Sequence, residues 1–182
     1  QGAGEFRYLS DIEPLRYQVF FENLRTATAP ALEVLITDKL DVATMDLTTF
    51  SLGPMNFGEK SVVPPPGLKE YTTEVDLRPA KTLIVRIAAR LDATGVLTWY
   101  FAAIDQATGQ LTENVLNGFL PPNVNPPEGE GSVLFTVMPK KGLPTGTPIS
   151  NQAKIVFDVN PAIDTPVWLN TLDNTKPSSQ ML

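Results

Sequence analysis

Residues 82–92 read TLIVRIAARLD and residues 96–105 read VLTWYFAAID. In the first stretch Leu83, Val85, Ile87, Ala89 and Leu91 are apolar, while Arg86, Arg90 and Asp92 fall on the opposite face. Successive side chains of an extended strand point to opposite sides, so this alternation gives the segment a greasy inside and a wet outside. In the second stretch Leu97, Trp99, Phe101 and Ala103 stand together, and Thr98 and Tyr100 point the other way. The turn sequence ATG at 93–95 separates the two runs. The pair reads as a β-hairpin.

The same period of two recurs on both sides of this hairpin. At 132–138, Val133, Phe135 and Val137 alternate with Ser132 and Thr136. At 152–158, Ala153, Ile155 and Phe157 alternate with Gln152, Lys154 and Asp158. The segments 17–23 (YQVFFEN), 32–38 (LEVLITD), 47–52 (LTTFSL) and 71–77 (YTTEVDL) have the β-branched and aromatic richness of strands, and a short one is expected at 166–171. Pro30, Gly53–Pro54 and Pro64–Pro66 break the runs between them. No long segment with a 3.6-residue period intervenes, so the chain is expected to be all-β. About nine short strands predict an immunoglobulin-like two-sheet sandwich with Greek-key connections. One stretch stands apart: 106–131 (QATGQLTENVLNGFLPPNVNPPEGEG) reads as a long Pro-rich loop, anchored by Phe119 and Leu120.

A chain of 182 residues with 42% apolar and 19% charged residues suits one folded domain. Residues 1–6 (QGAGEF) read as vector-derived, 7–172 as the sandwich, and 173–182 (DNTKPSSQML) as a polar linker or tail that would join neighbouring domains of the same polypeptide. The net charge of −6 would repel a nucleic-acid backbone, and no apolar run reaches the ~20 residues a membrane helix requires. A monomer is expected. The sequence contains neither cysteine nor histidine. That removes disulfides, thiolate chemistry and the commonest general base, and the reading is therefore not an enzyme.

FFENLRTATAPALEVLITDKLD at 20–41, TFSLG at 49–53 and GLPTGTPISNQAKIVFDVNPAIDTPVWLNTLD at 142–173 resemble the immunoglobulin-like conserved repeat domains of large secreted or surface-anchored bacterial proteins. The resemblance is carried by V-x-I-T-D at 34–38 and GT-x-I-x-N-x-A-x-I-x-F at 146–157, and it extends from about Tyr17 to Asp173 with breaks in the loops. It implies an extracellular spacer, an adhesion unit or an appendage of a secreted enzyme, with no assigned activity.

Three groups of side-chain oxygens are candidates for calcium, a hard cation that takes six to eight oxygen ligands. They are Asp158, Asn160 and Asp164 in FDVNPAID; Asp38, Asp41 and Asp46 in TDKLDVATMD; and Asp92, Asp105 and Glu113, provided the hairpin ends approach each other. The competing reading is that Asp and Asn only cap turns at strand ends. A second ligand class is carbohydrate, bound as a polysaccharide or cell-surface ligand on an exposed aromatic. Tyr100, which faces outward, and Trp168 are the candidates, whereas Trp99 belongs to the core. On this alternative the chain is a carbohydrate-binding module of a secreted glycoside hydrolase or adhesin. Glu128 and Glu130 in PPEGEG are the one carboxylate pair with the look of a catalytic dyad, but the surrounding Gly and Pro describe a solvated turn. Lys154 is the lysine weighed for a crosslink to Asn, and its position on the outward face argues against that.

Overall fold

The two quoted stretches form strands β7 (Leu83–Leu91) and β8 (Val96–Asp105), paired antiparallel from Leu91 opposite Leu97 to Leu83 opposite Asp105. Leu83, Val85, Ile87, Ala89 and Leu91 are buried, as are Leu97, Trp99, Phe101 and Ala103. The turn is made by Asp92, whose Oδ1 accepts hydrogen bonds from the Thr94 and Val96 amides (2.8 and 2.9 Å), and by Gly95 at φ +86°. A side chain at Gly95 would also strike the Leu40 carbonyl at 2.7 Å, so both conformation and space require glycine.

This computed structural model describes residues 2, 4, 5 and 7–175. The remaining positions, 1, 3, 6 and 176–182, belong to the expected vector-derived segment and tail and lie outside the described residues. Within them the other strands are β1 (Tyr8–Leu9), β2 (Leu15–Glu22), β3 (Glu33–Lys39), β4 (Met45–Phe57), β5 (Lys60–Val62), β6 (Glu70–Asp76), β9 (Glu130–Pro139), β10 (Pro148–Asn151), β11 (Ala153–Phe157), β12 (Ile163–Asp164) and β13 (Trp168–Leu172). No helix occurs among the described residues, so none is long and apolar enough to cross a membrane.

A six-stranded sheet in the order β12-β11-β3-β8-β7-β6 packs on a four-stranded sheet in the order β2-β9-β4-β5. The inner faces meet through aromatic rings. Phe135 of β9 lies 5.9 Å from Trp99 of β8, and Phe101 of β8 lies 5.6 Å from Phe21 of β2 and 6.1 Å from Phe57 of β4. This is the expected immunoglobulin-like sandwich, with connections that cross between the sheets.

The structure adds a third, small sheet in the order β1-β13-β10. It arises because an unexpected strand, β10, precedes the one expected from 152: β10 pairs with β13, and after Gln152 the chain continues as β11 against β3. A second difference lies in β4, which runs straight through the expected breaker Gly53–Pro54. Register shifts between Asp46 and Ser51 and between Leu52 and Met55 take up the irregularity, so the proline sits at a bulge where no ladder bond is asked of it. A Cβ at Gly53 would come within 2.4 Å of Leu134 Cδ2 and 3.0 Å of the Leu134 carbonyl oxygen, so a larger residue there would force the Leu134 side chain to shift.

The long loop behaves as expected in one respect: Phe119 and Leu120 are buried, and Ala31 bridges to Leu120. The segment also bridges Leu111 to Ile104. It thereby covers the outer side of the end of β8, which explains why Ala102 and Ile104 are buried as well as Ala103. At the opposite margin, edge strand β6 exposes Glu70, Glu74 and Asp76, charges that discourage pairing with a foreign strand.

Candidate functional site

The expected calcium ligands are held in separate places. Asp158, at φ +49°, accepts the Leu32 and Glu33 amides on Oδ1, each at 2.8 Å, and so closes the start of β3. Asn160 donates to the Phe157 carbonyl at 2.9 Å, and Asp164 pairs with Lys154 across β11 and β12. Asp41 accepts the Ala43 amide at 2.8 Å and Asp46 the Thr48 amide at 3.0 Å, each within its own turn. The Thr48 hydroxyl, at 2.6 Å, also helps hold the Asp46 carboxyl below the usual carboxylate range. Asp38 faces the core. Asp92 and Asp105 stand at opposite ends of β8, about 30 Å apart at roughly 3.3 Å per residue. Among the described residues, no three carboxylates are grouped to hold a metal.

The aromatic candidates are also apart. Tyr100 lies on the outer face of the six-stranded sheet, half-buried, with its hydroxyl donating to Glu33 Oε1. Trp168 opens β13 opposite Asn151, is 40% exposed, and carries the Arg7 guanidinium 3.7 Å above its ring. Glu130 does not pair with Glu128. It sits opposite Glu22 on β2, and both accept from the Asn123 amide nitrogen, at 3.1 and 2.8 Å. Glu128 instead accepts the Asn125 backbone amide.

Several concavities open on the described residues, and two of them border the candidate side chains. A cleft of about 320 Å³ runs between β2 and the β10–β11 crossing, with Tyr17 and Asn151 among its walls and Phe20, Pro166 and Trp168 around it. A wider bowl of about 750 Å³ lies at one end of the sandwich, between the β4–β5 turn, the β6–β7 connection and the long loop. Leu77 and Phe119 give it an apolar lining. Lys81 donates to the Gly118 carbonyl at 2.7 Å, and burial lowers its pKa.

Behind the cleft is a pair of buried polar side chains. Asn151 Nδ2 donates to Asp38 Oδ2 at 2.6 Å, and Asp38 is only 1% exposed. Burial pushes the Asp38 carboxyl up to about 6, with the Asn151 bond pulling the other way. Asp38 Oδ1, Asn151 Oδ1, the Tyr17 hydroxyl and Trp99 Nε1 are all buried without a protein partner. Burial, then the Asp38 carboxylate, push the Tyr17 phenol far up. The sequence holds a signal for this pair that the loop-oxygen reading passed over. In V-x-I-T-D, Asp38 falls in phase with inward Val34 and Ile36, and Asn151 falls in phase with inward Ile149 and Ala153.

Residues 90–171 match the model of a family described as a domain of unknown function (DUF7619). That stretch runs from the end of β7 into β13. No curated protein matches the chain in sequence. Among solved structures, the chain is similar to the N-terminal domain of a Streptococcus gordonii adhesin, at 11% identity and a TM-score of 0.47, over 91% of this chain and 30% of that one. It is also similar to the collagen-binding domain of a Staphylococcus aureus adhesin, at 12% identity and a TM-score of 0.40, over 87% of each chain. The chain thus spans 30% of the length of the streptococcal adhesin domain it matches.

Proposed function

We propose that the chain is a non-catalytic structural and binding module of a large extracellular bacterial protein. The observation that supports this most is the course of the backbone at its two ends. β1 and β13 are neighbours and run parallel, with Tyr8 opposite Thr171 and Leu9 opposite Leu172. Through β1 and β13 the backbone runs along one heading, after a turn in which the Arg7 amide donates to the Gly4 carbonyl at 3.1 Å, and this shared heading suits modules strung in line. Two copies joined through residues 173–182 test this by small-angle scattering. The longest dimension is expected to be near twice that of one copy, and a compact, folded-back pair would refute the reading.

The expected calcium uptake is tested by melting in calcium and in chelator. The two curves are expected to coincide, because each of Asp41, Asp46, Asp158 and Asp164 is already engaged in its own turn or ion pair. A native-state ion would raise the melting temperature with calcium concentration.

A carbohydrate-binding role is favoured by one feature, the indole of Trp168 beside a cleft that Gln18 and Gln152 also line. Sugar rings stack on such a ring while amides address their hydroxyls. On a glycan array, Trp168→Ala is expected to abolish retention and Tyr100→Ala to leave it intact, since Tyr100 lies on the other sheet, bonded to Glu33. Absence of any retained glycan on the unaltered chain removes this reading.

A further inference from the structure

The parallel pair at the chain ends is more than a direction marker. The backbone reaches β1 beside Thr171 and leaves β13 beside Leu9. Tension applied at the two ends pulls these strands past one another along their own length. Their hydrogen bonds are slanted but bridge from one strand to the other, so sliding strains the contacts together rather than peeling them apart singly.

Several contacts share such a load. The Asp173 amide donates to the Leu9 carbonyl at 2.7 Å, Asn170 Nδ2 donates to the Arg7 carbonyl at 3.0 Å, and the Asp11 amide donates to Asn174 Oδ1 at 3.1 Å. The Arg7 guanidinium on the Trp168 ring adds a side-chain contact at the outer end of the same seam. Behind it, β13 is fastened to β10 through four residue pairs, Pro148 opposite Thr171 through Asn151 opposite Trp168. Leu172 is fully buried in the main core. The seam is thus backed by the core.

We infer that β1 and β13 form a shear clasp, the element that bears tension transmitted through the module and must fail before any core strand is drawn out. This deepens the reading of the chain as a structural link, and it is measured on a single copy without neighbours. A failed clasp and a failed in-line arrangement are therefore separate results.

The test is single-molecule force spectroscopy on the full chain held by its two ends at constant force. One rupture step is expected, with no earlier short extension from residues 7–14. Arg7→Ala is expected to shorten the lifetime under load by about twofold to fivefold, the worth of an exposed cation–π contact when forced unfolding follows the unfolding rate. Glu74→Ala removes an exposed ion pair with Arg86 that is off the load path, and its lifetime is expected to match the unaltered chain. An early extension step, or equal lifetimes for Arg7→Ala and the unaltered chain, overturns the inference. So does a lifetime loss in Glu74→Ala as large as that in Arg7→Ala.

Discussion

Asp38→Asn is expected to raise the stability of the protein at pH 7 and leave it unchanged near pH 4. The Asp38 carboxyl titrates near 6 in the folded chain against an ordinary value of 3.8, and desolvation by burial is the chief cause. A carboxyl whose pKa is raised by folding costs nothing while it is protonated in both states. Its contribution is fully present below about pH 4 and is lost as the pH rises through about 6, a loss of roughly 3 kcal/mol at 1.36 kcal/mol per unit. Asparagine keeps the shape without the charge. Its Nδ2 can donate to Asn151 Oδ1, which now has no partner, while Asn151 Nδ2 goes on donating to the oxygen at position 38. A gain on the order of 1–3 kcal/mol at pH 7 corresponds to a melting shift of several degrees in a chain of this size. The measurement is the difference between the two proteins across pH 4–7. Asp46, Asp76 and Asp92, whose carboxyls are all held below the usual range, impose the opposite trend on both proteins at lower pH. Curves that run parallel over the whole interval would show that Asp38 is not ionising against its surroundings.

Phe119→Ala is expected to have the largest destabilising effect of the substitutions considered. Phe119 is 3% exposed, stacked on Phe101 at 6.0 Å and edge-on to Phe57 at 5.5 Å. Removing a buried phenylalanine ring costs about 3–5 kcal/mol through lost transfer energy and the void left behind. The loss should be felt first in the loop it secures. Hydrogen exchange is expected to speed up through 106–129 and at the Ala31 amide, which bonds to the Leu120 carbonyl at 2.9 Å. Leu116→Ala in the same loop serves as the contrast, since Leu116 is largely exposed and such substitutions stay within about ±0.5 kcal/mol. Equal effects from the two would mean that the loop is held by something other than Phe119.

Both residues show how much of the molecule was legible in the chain. Local alternation named the inward sets of β7, β8 and β9 because each face of a pleated strand is written at every second position. It could not find β1 or β12, which are two residues each, or the three-residue β5, because no period is visible in so few positions. The partnership of β1 with β13 joins residues more than 160 apart and leaves no local trace, so neither the third sheet nor the stacking of Arg7 on Trp168 was readable. Asp38 and Asn151 were legible in principle as polar residues at inward positions. Treating every Asp near a turn as a surface oxygen obscured the one that lies inside. The aromatic candidates were named from their strand faces, but Tyr100 and Trp168 fall on different sheets, a fact set by topology alone.

The acidic margin at β6 matters most when copies are crowded. Sandwiches tethered on one polypeptide meet one another at effective concentrations that reach the millimolar range, where bare sheet margins would zip together. Along that rim Glu74 pairs with Arg86 and Asp76 with Arg78, so two such margins brought side by side would have to desolvate charged side chains before their backbones could join. In an array of the proposed kind, that cost would keep tethered copies as separate beads and guard them against turning into a fibre.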